Sequence, residues 1–362
     1  LVSAFLLILV MGLGFFLTPA ILGGPSDIVA AVYIQQQITV FRWSAASAIG
    51  IVLLAVVLIG YFLTLRFSGV SRVGSFAAGT GSKGGSVRNE PLRWSLFSVL
   101  LWFALACTLI VLILPLIVAV GASFNNIPLI LFPPRGFTLK WYAAVFQDPI
   151  WVDAIAKSVG VAAATATLTV ALSLSFGRLI VRSKSQSFKS WLMAIAYSPL
   201  VVPLILLSVG NFDVQIILGL IGTWWGLIFI HCVIALPFGV AIITGALAGV
   251  DPDFERAAWT LGWKPLKAFW HVVVLGMIPS LIGAWLVCFL VSWDEVVIAL
   301  FQTGFRKTLP VVIYSYLKSG LVPTVPAVAA MLIALILVAA GASALVAQVR
   351  RTARRRRVVY GP

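Results

Sequence analysis

The chain has 362 residues, of which 62% are hydrophobic and only 10% charged, and its mean hydropathy is +1.12. Soluble domains carry about 25% charged residues, so this composition excludes an ordinary water-soluble globule; a bilayer has to act as the solvent for so much apolar surface. A net charge of +15 would suggest a nucleic-acid partner for a soluble protein, but here the lysines and arginines cluster between apolar runs, which is the pattern of a topology signal, and no nucleic acid is expected.

A run of about 20 apolar residues crosses the hydrocarbon core. Eight such spans are predicted, over 1–21, 45–65, 94–122, 154–177, 190–209, 223–247, 273–298 and 325–349. The expected fold class is therefore all-α, a polytopic transmembrane helical bundle. The chain opens at Leu1 inside an apolar run, with no basic region or cleavage motif before it. This reads as a sequence entered mid-span, not as a signal peptide.

Residues 66–93 are rich in Gly and Ser and read as a flexible linker. Gly79, Gly81 and Gly84 fit a G-x-G-x-x-G pattern. However, Gly85 stands where a phosphate-gripping lysine belongs, and no soluble strand and helix flank the run, so no nucleotide site is read there. If this linker is cytoplasmic, the loops alternate in charge. Arg66, Arg72, Lys83, Arg88 and Arg93 fall inside, with Arg178, Arg182, Lys184 and Lys189, then Arg256, Lys264 and Lys267, and finally the tail Arg350, Arg351 and Arg354 to Arg357. These are 18 of the 25 basic residues, and the excess predicts this orientation, with the C-terminus cytoplasmic.

Cys107, Cys232 and Cys288 are far apart in apolar stretches and read as small buried hydrophobes. His231 and His271 lack metal-ligand spacing, so no metal and no cofactor is expected. Pro199, Pro203, Pro237 and Pro279 interrupt spans and read as packing kinks or as broken helices near a solute path.

The segment 251–262 carries the most local information. Asp251 suits an N-cap, Pro252 the first helical position, and Asp253 with Glu255 the positive helix end. Gly262 suits the left-handed residue that stops a helix. The result is a short helix between two spans that presents small Ala257 and Ala258, with Phe254, Trp259 and Leu261 for apolar contact. Such a helix reads either as a docking knob or as an interfacial amphipathic helix.

Glu255, Ala257, Ala258 and Gly262 resemble the EAA loop of binding-protein-dependent ABC importer permeases. The family's later Leu-Pro element is replaced by Leu275-Gly276, with Pro279 following, and this departure bears on the helix geometry after the loop. Residues 94–350 resemble a spermidine/putrescine-type permease subunit, including Trp293-Asp294-Glu295 through Gly304, Leu309-Pro310 and Ile313-Tyr314. Residues 1–65 resemble the last part of the partner permease, through Thr18 to Pro25 and Ile34-Gln35-Gln36-Gln37.

The resemblance implies a division into four parts. These are a two-span remnant of a first permease unit (1–65), the cytoplasmic linker (66–93), a six-span permease domain (94–350) with a coupling loop at 251–272, and a basic tail (351–362). It also implies ATPase subunits as partners, a periplasmic solute-binding protein, a second permease unit, and a bacterial inner-membrane location. The chain itself would catalyse nothing, ATP hydrolysis belonging to the separate subunit. The implied solute is small, with a polyamine favoured and iron, thiamine or phosphonate as alternatives.

Charges near membrane depth are few, so each is a functional candidate. Asp294 and Glu295 beside Trp293, together with Asp213, are expected at outer span ends, where they would attract a cationic solute by charge and cation–π contact. They equally fit an interfacial belt. An ion-coupled secondary transporter would show paired ionisable residues at mid-membrane, and a membrane enzyme would show a catalytic cluster at one face. Neither pattern is read here.

Overall fold

The computed structural model describes residues 12, 15–24, 26–67, 96–304, 307–320 and 322–359. Nearly all of the 66–93 linker lies outside them, as do most of the first predicted span and the side chains of the arginine tail. Every regular element among the described residues is helical. In chain order they are α1 (Leu17–Leu22), α2 (Ala30–Thr39), α3 (Trp43–Phe67), α4 (Leu96–Ser123), α5 (Lys140–Gln147), α6 (Pro149–Arg182), α7 (Gln186–Tyr197), α8 (Leu204–Ile217) and α9 (Trp224–Ala248). Then follow α10 (Pro252–Thr260), α11 (Pro265–Ala268), α12 (Ile278–Trp293), α13 (Val297–Gln302), α14 (Leu309–Ser319) and α15 (Thr324–Val359).

Five helical stretches among the described residues are long and apolar enough to span a bilayer: Trp43–Gly60, Ser98–Ser123, Pro149–Arg182, Trp224–Ala248 and Pro265–Trp293. The span predicted over 190–209 is not a straight helix. It is the pair Gln186–Leu200 and Leu204–Ile217, bent by 102°. Pro199 sits in the 3-10 turn Ser198–Leu200 and Pro203 caps α8; neither ring can donate a helical N–H, so the ladder breaks between them. The last predicted span falls within α15, whose described apolar stretch is Thr324–Ala339. Pro237 lies inside α9 without ending it.

The described residues fall into two compact units. One takes residues 1–85 and 154–312, the other 86–153 and 313–362. In the first, α9 is the central rod and packs along α12, with α7 beside it. Small residues permit the close approach. Gly239 of α9 lies so near Ser173 of α6 and Cys288 of α12 that a Cβ there would strike the Ser173 hydroxyl. Ala166, Ala235 and Cys288 close the same layer, all fully buried. Without a hydrophobic drive between helices in lipid, such small-residue contact supplies the attraction. In this unit α2 also packs on α3, and α3 reaches α8 through the stacked rings of Trp43 and Phe212 (5.3 Å).

In the second unit α4 and α5 pack on α15. The turn after α4 is tied by Asn125, whose side chain donates to the Leu129 carbonyl (3.0 Å) and accepts from the Arg135 N–H (3.1 Å). Residues 99–117 are exposed, in keeping with lipid as their solvent, while Ser98, Ala122 and Ser123 at the two ends of the stretch are buried. Cys107 therefore departs from the sequence expectation: it is exposed on α4, whereas Cys232 and Cys288 are buried.

Candidate functional site

The short helix α10 is built as its sequence demands. The Asp251 carboxylate accepts the Asp253 N–H at 2.9 Å, and Pro252 opens the first turn. At the other end Gly262 adopts φ +85. Its N–H donates to the Trp259 carbonyl (2.9 Å), and the Trp263 N–H donates to the Ala258 carbonyl (3.1 Å). This pair of bonds is a Schellman stop, which requires the left-handed residue.

The two alanines part company. Ala257 is exposed, as expected of a docking surface, whereas Ala258 turns inward and is buried. Phe254 (64% exposed), Ala257 and Leu261 (80%) recur at i, i+3 and i+7 along one exposed side, while Trp259 is exposed on the other flank of the helix. Apolar patches of this kind mark interaction surfaces.

Glu255 is not on that face. It is only 4% exposed, and each carboxylate oxygen accepts from a different arginine of α6: Oε1 from Arg178 at 3.1 Å and Oε2 from Arg182 at 3.5 Å. Four residues apart, the two arginines share one face of α6. The sequence presents both only as topology charges. The usable signal is their spacing at the end of a span, together with the three acids Asp251, Asp253 and Glu255 on a loop of the same predicted membrane side. Arg178 also stacks over Phe269 at 4.1 Å.

Phe269 begins the segment in which the sequence departs from the family pattern. After α11 the chain runs through a π-helical turn, Phe269–Val274, and a 3-10 turn, Leu275–Met277, before α12 starts with Pro279 in its first turn. Phe269, Val273, Val274 and Met277 pack with Ile243 and Leu247 of α9, so the irregular segment is anchored to the central rod.

The second candidate region lies at the far end of α12. Asp294 is its C-cap and is exposed, while Trp293 stacks on Phe289 (5.8 Å). Asp213 is exposed on α8. Glu295, expected beside Asp294 on a solute path, is instead buried, and its oxygens accept the backbone N–H groups of Ile298 (2.9 Å) and Ala299 (3.0 Å). It caps α13, where a carboxylate favours the positive helix end. His231, 1% exposed on α9, meets the same corner: Nδ1 lies 2.7 Å from Ser292 Oγ, and Nε2 lies 3.6 Å from Glu295 Oε2. The other histidine, His271, lies elsewhere, with Nδ1 3.0 Å from the Lys267 carbonyl.

The family described as "Binding-protein-dependent transport system inner membrane component" matches residues 169–355, a stretch that holds α10 and both arginines. The chain belongs to this family. The permease is 28% identical over 240 residues to the spermidine/putrescine transport system permease protein PotC of Escherichia coli (strain K12), covering 66% of this chain and 89% of the relative. It is 26% identical over 230 residues to the putrescine transport system permease protein PotI of the same organism, covering 60% and 80%. It is also 27% identical over 189 residues to the trehalose transport system permease protein SugB of Mycobacterium tuberculosis (strain CDC 1551 / Oshkosh), covering 52% and 69%. Among solved structures, a bacterial ABC transporter involved in the import of the acidic polysaccharide alginate shares the fold, with a TM-score of 0.52 and 14% identity over 70% of this chain and 95% of that one. The molecule is thus a permease of an ABC importer.

Proposed function

We propose that the permease carries a small cationic solute, a polyamine, and that a separate ATPase subunit docks on the exposed face of α10 to drive it. The observation that carries this reading is the exposed apolar side of Phe254, Ala257 and Leu261 on a helix capped at both ends and held from beneath by a buried carboxylate. The helix is rigid enough to pass on a displacement, and its outer surface lacks a partner within the described chain. The basic residues flanking it support a cytoplasmic location for this face and for the C-terminus by the positive-inside rule. A periplasmic binding protein would deliver solute at the opposite face of the inner membrane.

Asp294, Trp293 and Asp213 are the proposed solute-attracting residues, exposed acids and a ring suited to an amine by charge and cation–π contact. Glu295 shapes the turn that presents Asp294. The two permease relatives named for polyamines support the solute class. The stretch 1–65 is proposed to be the two-span remnant of a first permease unit, joined through the 66–93 linker to a six-span unit over 94–350 and the basic tail 351–362.

Co-purification tests the reading. The tagged permease, expressed with the ATPase subunit of its own system, should retain that subunit, and Leu261→Asp should release it and abolish uptake of radiolabelled spermidine. Uptake that persists without any ATPase subunit would point to a secondary transporter and refute the proposal.

A further inference from the structure

The coupling face on α10 explains where an ATPase would push, but not how the push reaches the membrane. We propose that Arg178 and Arg182 are the positioning residues that lock α10 to α6, so that the two helices move as one body. This rests on the docking reading above and adds the path that follows it.

Three observations support it. First, Glu255 is almost fully removed from water, and both its oxygens are occupied by arginines of α6. A carboxylate so placed is tolerated only while paired, so parting the helices would strand it. Second, Arg178 bridges two segments that flank the Gly262 stop: it holds Glu255 on α10 and stacks on Phe269 at the start of the π-helical turn. The Schellman stop and this bridge close a ring around the loop, which leaves α10 little freedom to rock alone. Third, α6 continues without a break from these arginines to the far end of its span, where the Ser158 hydroxyl accepts the Leu309 N–H at 2.7 Å. Motion taken up at Arg178 is thereby delivered at Leu309, at the opposite end of the helix.

The experiment uses the complete complex with its ATPase subunit, with exposed Cys107 replaced by serine and spin labels at Leu179 on α6 and Thr260 on α10. The distance between labels is read without nucleotide and after trapping with ATP and vanadate. If the helices move together, the mean distance holds to within about 2 Å, the scale of an ordinary helix shift at an interface. A larger change in the unsubstituted chain overturns the proposal. In the Arg178→Gln/Arg182→Gln variant the distance should change on trapping and its distribution should broaden. Unaltered behaviour there also overturns it. Exchanging the charges, Glu255→Arg with Arg178→Glu, should restore the narrow distribution, which a nonspecific loss of fold would not.

Cross-linking from Phe254→Cys to the ATPase subunit separates the two levels. No cross-link means the docking face itself is wrong. A cross-link together with independent motion of α6 and α10 means that only the arginine lock is wrong.

Discussion

The Glu255 carboxylate and the Gly262 backbone make different demands on the same loop. Removing one member of a buried ion pair costs about 3–5 kcal/mol, against roughly 1 kcal/mol or less for an exposed pair. Water reaches both arginines, with side chains 34% and 26% exposed, so Glu255→Ala should fall between these limits and lower the thermal midpoint of the detergent-solubilised permease, followed by tryptophan fluorescence. At Gly262 the space around a new Cβ is open, so the penalty of Gly262→Ala is purely that of a left-handed backbone, about 1–2 kcal/mol. Gly262→Asn should lose less in the same measurement, because asparagine tolerates that region. An equal loss for both would show that something other than φ sets the requirement.

Among the helices, one close junction is where Gly239 lets α6, α9 and α12 meet. Gly239→Ala should force them apart at an overpacking cost of about 1–3 kcal/mol, and adding Ser173→Gly should recover part of the lost melting temperature by removing the hydroxyl in the way. The single and double variants melting alike would place the strain elsewhere. Much of this level was legible beforehand. Long apolar runs announce spans because the bilayer sets their length, and the ends of α10 announce themselves because Asp251, Pro252 and Gly262 act on their immediate neighbours. What joins distant residues was not legible. Glu255 and Arg178 are 77 positions apart, and nothing local distinguishes an arginine that pairs with a carboxylate from one that marks a membrane face. Pro199 and Pro203 signal an interruption but not its angle, since that depends on how α7 packs against α9. Glu295 looked like an open acid because its partners are backbone N–H groups, which leave no trace in side-chain identity.

For the molecule as a whole, the arrangement of basic loops predicts which surfaces face which compartment. A cysteine at Phe137, exposed after α4, should react with a membrane-impermeant maleimide applied to intact spheroplasts, while one at Ser187, exposed at the start of α7, should react only after lysis. The reverse pattern would invert the topology, and with it the side from which α10 can be reached.

The length of α6 constrains what kind of stroke is available. Its 34 residues rise about 51 Å, while the oil is about 30 Å thick. Lys157, lying over the Trp224 ring, and Arg178 are separated along it by about 31 Å at the same rise. With α6 set along the membrane normal, a cation would stand near each edge of the hydrocarbon. Sliding along the membrane normal would drag one of them into oil, whereas swinging about a fulcrum would leave both wet. Such a placement would favour a pivoting stroke over a piston.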